Sequence, residues 1–283
     1  MVMCLVQVAH QAGSTLRCRP AAAGLLCLLM AYCAGCQLPR RVRSSDRHAY
    51  GVVFVLPGIE GRSVWNRNIA IGLDAGGVAS AIDVYDWTAG VPGTFVFNLA
   101  NLERNRRQAG KLAERIVAYR EQYPGAPVHL IGHSAGGGFA VLVLEALPAG
   151  RQIDMAILLG PALSPHYDLS TALRRTRYGI CNLYSTRDVG FLKVGTSLFG
   201  PIDREFGVSA GAVGFRPPDG LSESDRALYA TRLRQVRWRP EMKGLGASGT
   251  HLGWASRKFA REYLAPLIKQ NEASRPPAAD YFK

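Results

Sequence analysis

Lysine is scarce in this chain of 283 residues: of its 34 basic residues only 6 are Lys and 28 are Arg. Acidic residues number 21, so the formal net charge is +13. The charge is scattered rather than run together, which reads as an arginine-rich composition and not as a polyanion-binding stripe; no nucleic-acid partner is expected. Cysteine is almost missing from the body. Cys4, Cys18, Cys27, Cys33 and Cys36 crowd the start, and Cys181 stands alone in the rest. That excludes a disulfide scaffold, and no C-x-x-C pair recurs with zinc spacing. The apolar run Ala21–Gly35 stops at 15 residues, whereas a spanning helix needs about 20. The sequence also lacks H-E-x-x-H, G-x-x-x-x-G-K-[ST] and clustered acids, so neither a metal nor an organic cofactor is expected. What remains, 48% hydrophobic, 9% aromatic and 19% charged, excludes disorder, collagen and coiled coil.

Arg17 and Arg19 precede the apolar run, and Ala34-Gly35 close it directly before Cys36. Polar, basic sequence follows from Gln37 to Arg47. This resembles a bacterial lipoprotein signal. The resemblance implies cleavage before Cys36, lipidation of Cys36 and an exported protein held at the cell envelope. Cys33 departs from the pattern, which prefers Leu three residues before the lipidated Cys. Ordinary secretion and an uncleaved anchor are the other readings. Cleavage would remove two Arg and leave a side-chain charge of 32 − 21 = +11. A thioether-linked diacylglycerol with an amide-linked acyl chain meets the need for more than one chain in stable anchoring. The expected divisions are a signal at 1–36, a polar linker at 37–50, a folded domain at 51–270 and a loose tail at 271–283.

Gly51–Pro57 is a short continuous run rich in β-branched residues, the pattern of a parallel strand buried on both faces. Residues 64–75 predict a helix and 81–85 a second strand. Residues 100–122 predict a helix whose apolar stripe is Ala109, Leu112, Ala113, Ile116 and Val117. Pro127 to Ile131 predicts a strand, 135–147 a helix apolar enough to lie between layers, and 153–159 and 178–184 further strands. A weak strand at 235–238 and a helix at 254–268, its end kinked by Pro266, complete the pass. Strand and helix alternate throughout. The expected fold is α/β, a mostly parallel central sheet with helices on both faces.

The segment Gly132-His133-Ser134-Ala135-Gly136 matches G-x-S-x-G. The bare pattern is common, but here it follows a predicted buried strand and opens a predicted helix, the context the motif requires. A sharp turn there lifts the Ser134 hydroxyl above the sheet, and the helix N-terminus lends positive potential to a developing oxyanion. A serine hydroxyl needs a base to become a nucleophile. With the order serine, acid, histidine, only His166 and His251 follow Ser134. His166 comes too early, and His251 lies in the loop after the last strand. Asp188 lies just past strand 178–184 and is the candidate acid, with Asp168 and Asp219 as rivals. Two backbone N–H donors are expected for the oxyanion: Ala135, and Ile59 in the loop after the first strand. Glu60 beside it is a candidate for substrate or water contact, or for an ion pair with Arg62 or Arg67.

From about residue 50 to 270 the chain resembles an α/β-hydrolase of the esterase and lipase kind. The resemblance implies a serine hydrolase cleaving carboxylic esters, with a small-molecule or lipid ester as substrate and a lipid anchor as the contact with the membrane. Too few residues precede the first strand for the two leading antiparallel strands of that family, so those are expected to be missing. An amidase, peptidase, thioesterase or acyltransferase on the same fold, and a non-catalytic lipoprotein that binds an anionic partner, are the alternatives. The stretch 189–233 holds Phe191, Leu192, Leu198, Phe199, Phe206 and Phe215. It either packs on the core or lines a pocket.

Overall fold

The computed structural model describes residues 44–89, 101–188 and 208–273, with Leu38, Pro39 and Val42 ahead of them. Its centre is a six-stranded sheet in the order β2-β1-β3-β4-β5-β6. The strands are β1 (Val52–Leu56), β2 (Ala81–Val84), β3 (Val128–His133), β4 (Met155–Leu159), β5 (Ile180–Tyr184) and β6 (Leu233–Arg237). Every neighbouring pair is parallel. Among the described residues no strand precedes β1. A parallel sheet sends all strand C-termini to one edge, and the loops that leave that edge carry the candidate residues.

After a single helical turn at Ser45–His48, the helices are α1 (Val64–Ala75), α2 (Leu102–Gln122), α3 (Ala135–Ala146), α4 (Ser170–Arg174), α5 (Ala210–Val213), α6 (Glu223–Arg232) and α7, which runs from Arg257 to Ala273. The strand period of two sorts β1 between two cores. Val52, Phe54 and Leu56 pack with Leu112, Ile116 and Phe139 on one face. Val53 and Val55 pack with Ile69, Leu73, Phe259 and Leu264 on the other. Helices α2 and α3 therefore cover the first face, and α1 and α7 the second. The α2 stripe is buried at Ala109, Leu112, Ala113 and Ile116, while Val117 is partly buried against the same core. From Ala135 to Leu144 every residue of α3 is buried, which is why that helix has no polar face. Burying one Leu or Phe contributes about 1.5–3 kcal/mol, so these two cores dominate the stability of the sheet.

Three expectations need correction. The C-terminal helix does not end at a kink by Pro266. Its turn at Ala260–Leu264 is a π-helix, and regular helix continues over Ala265–Ala273. Proline has no N–H and its ring clashes with the carbonyl four residues back; the wide turn just before Pro266 relieves both problems. Helix α6 was not expected within 189–233. It is polar nearly all round, with Tyr229 its one buried residue, so it carries no apolar stripe to read. The segment 37–50 is more than a polar linker. Leu38 and Val42 are buried in the second core, and Arg47 pairs with Asp74 at 2.7 Å. Phe215 is buried in the first core, whereas Phe191, Leu192, Leu198, Phe199 and Phe206 lie outside the described residues, as do the proposed signal, Cys36 and the tail after residue 273.

Candidate active site

Ser134 stands between the last residue of β3 and the first of α3, with φ 56° and ψ −121°. It is the only residue other than glycine with positive φ among those described. Such a conformation costs on the order of 1–3 kcal/mol and persists only where the surroundings hold it. Here the Ser134 N–H donates to Leu159 O at 2.9 Å, and its carbonyl accepts from Gly137 N at 2.9 Å and Ala162 N at 3.0 Å. The two motif glycines make room for backbone. A Cβ on Gly132 would overlap the Gly136 carbonyl, and one on Gly136 would overlap the carbonyl oxygens of Leu56 and Pro57. The turn at Ser134 is therefore pressed against the loop that leaves β1.

That loop is fixed independently. The Trp87 indole N–H donates to Pro57 O at 2.8 Å, and the indole stacks on Phe139 of α3 with centroids 4.9 Å apart. Ile59 is partly buried in the turn that follows and packs against the first core. Ala135 opens α3 and is buried. The first N–H groups of a helix have no partner within it, so Ala135 carries a donor suited to an anion. Asn66, buried in the first turn of α1, accepts from Ser63 N at 3.2 Å and donates to Gly61 O at 2.9 Å. The Glu60 carboxyl is turned onto its own loop. It accepts from Ser63 Oγ at 3.2 Å and from the amides of Gly58 and Glu60 itself. Burial pushes this carboxyl above its ordinary range, while those hydrogen bonds and the charge of His251 act the other way.

His251 and Asp188 meet at the same edge. Asp188 follows β5 and His251 opens a 3₁₀ turn, His251–Ala255, ahead of α7. His251 Nδ1 lies 2.7 Å from Asp188 Oδ2, and both side chains are buried. A carboxylate can only accept, so Nδ1 carries the proton and the neutral ring keeps its lone pair on Nε2. Burial raises the Asp188 carboxyl, opposed by the hydrogen bond and charge of His251. Ser185 joins the two loops: its hydroxyl donates to Gly249 O at 2.6 Å and accepts from Arg187 N at 3.2 Å.

The alternatives lie elsewhere. Asp168 is exposed and accepts from Ser170 N at 2.8 Å and Tyr229 Oη at 3.3 Å. Asp219 and His166 are both exposed. Among the described residues no group of three or more His, Cys, Asp or Glu could hold a metal ion. Sequence reasoning missed His133, whose Nε2 lies 3.0 Å from the His251 carbonyl oxygen. Its place inside the glycine motif was the available signal.

A family model described as serine aminopeptidase, S33, matches residues 107–190. That segment runs from α2 past Asp188 and stops short of His251. No curated protein matches the chain. Among solved structures, lipase B from Aspergillus fumigatus is similar at 14% identity with a TM-score of 0.50. The match covers 87% of this chain and 59% of that one, so the chain spans less than two thirds of the lipase. A poly(3-hydroxybutyrate) depolymerase from Bordetella parapertussis matches at 16% identity and TM-score 0.45, over 82% of each chain. The parallel sheet and the likeness to the fungal lipase together show an α/β-hydrolase fold.

Proposed function

We propose that the protein is a serine hydrolase that cleaves carboxylic esters through Ser134, His251 and Asp188. The observation that carries this reading is the buried His251–Asp188 hydrogen bond of 2.7 Å at the edge where Ser134 is held in a strained turn. His251 Nε2 takes the Ser134 hydroxyl proton as Oγ bonds to the ester carbonyl carbon. The carbonyl electron pair moves to oxygen, and the Ile59 and Ala135 amides stabilise the resulting oxyanion. The oxyanion then collapses, the bond to the alcohol oxygen breaks, and His251 returns its proton to that oxygen. Water repeats the sequence on the acyl-enzyme: His251 takes its proton, the hydroxide oxygen bonds to the acyl carbon, and Ser134 leaves with the proton restored. Asp188 holds the His251 tautomer and stabilises the imidazolium.

The full chain in detergent is treated with a fluorophosphonate and the mass shift mapped by peptide. Labelling at Ser134 that is lost in His251→Ala is the expected result. A folded chain that stays unlabelled would refute the reading. A second reading, hydrolysis of peptide or amide bonds, is favoured by the serine aminopeptidase model over residues 107–190. Matched ester, thioester and amide substrates separate the two. The reading extends to the cell envelope, where a lipidated Cys36 would hold the enzyme; the signal-like leader supports that part.

A further inference from the structure

His133 is a fully enclosed imidazole with a specific partner. Its Nε2 lies 3.0 Å from the backbone oxygen of His251, 118 positions away in the chain. A carbonyl can only accept, so Nε2 donates and carries the proton. The two imidazole rings lie against each other, centroids 4.9 Å apart and tilted by 40°. Burial, followed by the charge of His251, pushes the His133 ring down to about 3, so it stays neutral beside a base that becomes cationic in turnover. His133 is also the residue immediately before Ser134. A single dipeptide therefore presents the nucleophile on one side and grips the backbone of the base on the other.

We infer that His133 is a positioning residue, whose neutral Nε2–H ties the His251 loop to the serine turn and so sets where the His251 ring stands relative to Ser134. This rests on the proposed hydrolase reading. The loop is also tied to the segment that follows β5, by Ser185 Oγ to Gly249 O at 2.6 Å and by the His251 ring to Asp188 at 2.7 Å, and neither of those bonds reaches β3. The effect of His133 is geometric, and misplacement of a catalytic group by about 1 Å can cost a hundredfold in rate.

The test compares wild type, His133→Gln and His133→Phe by the rate of fluorophosphonate labelling at Ser134 and by the proton resonance of His251 Nδ1–H. Gln places an amide N–H close to the position of Nε2, and Phe keeps the ring but cannot donate. His133→Phe is expected to label about 10- to 100-fold more slowly and to shift or broaden the Nδ1–H signal, with His133→Gln recovering most of the rate. A purely structural role would lower the melting temperature and leave the rate and resonance of the folded protein unchanged. Equal rates in all three proteins, or equal loss in Gln and Phe, would overturn the inference. If His133→Phe does not fold, His133→Asn replaces it, since that amide stops one bond short of the carbonyl. Failure of the hydrolase reading looks different: wild type itself stays unlabelled at Ser134.

Discussion

An imidazole kept neutral inside a protein refuses a proton that the unfolded chain accepts. His133 is held near 3 against an ordinary value of 6.5. Its contribution to stability is therefore complete above pH 6.5 and is lost as the pH falls toward 3, by about 1.4 kcal/mol per pH unit. Glu60, Glu145 and Asp188, all raised by burial, run the other way and lose stability as the pH rises. The effect of His133 is isolated by difference. In denaturant titrations at several pH values, the stability of wild type relative to His133→Phe should fall steadily between pH 6.5 and pH 4. A gap independent of pH would show that the imidazole takes up no proton on unfolding. The meeting of Asp188 with His251 was legible, because chain order and the ends of strands point to both. The grip of His133 was not. Its partner is a backbone carbonyl 118 residues on, and no local pattern encodes such a contact.

Helix α1 shows how an element sets a site that it does not enter. Asn66 has its side chain buried and bridges Ser63 N, Ser63 Oγ and Gly61 O. Ser63 in turn donates to Glu60. Asn66→Ala should leave buried polar groups without partners and lower stability by about 2 kcal/mol, measured as a shift in the denaturant midpoint at constant slope. It should also slow labelling of Ser134, because the loop from Pro57 to Ser63 loses its anchor to the helix. A normal labelling rate in the folded variant would separate that loop from the site. Most elements were legible from periodicity: β1 from its continuous apolar run, α2 from its stripe, α3 from having no polar position before Glu145. The exceptions have plain causes. Helix α6 buries only Tyr229, and the π-turn before Pro266 answers to backbone sterics rather than to hydrophobic pattern.

For the whole molecule, the proposal of membrane attachment rests on the leader. Among the described residues no helix is long and apolar enough to cross a bilayer. If Cys36 is lipidated, wild type expressed in a bacterial host will partition with membranes and resist extraction by salt, while Cys36→Ser will shift to the soluble or uncleaved fraction. Release of wild type by salt alone would point to its basic surface rather than to acyl chains. The sheet order has a consequence of another kind. Every neighbouring pair of strands is parallel, so each pair closes only after an intervening crossover has been laid down. The contacts that join β3 and β5 to the His251 loop span 118 and 64 residues. Contacts of such sequence separation are slow to form, since chain entropy is lost before they repay it. Neither contact can form before the chain is in place through the His251 loop. On the proposed reading, reactivity at Ser134 would serve as a clock for the arrival of that loop, and a nascent chain released before residue 251 would be chemically silent there.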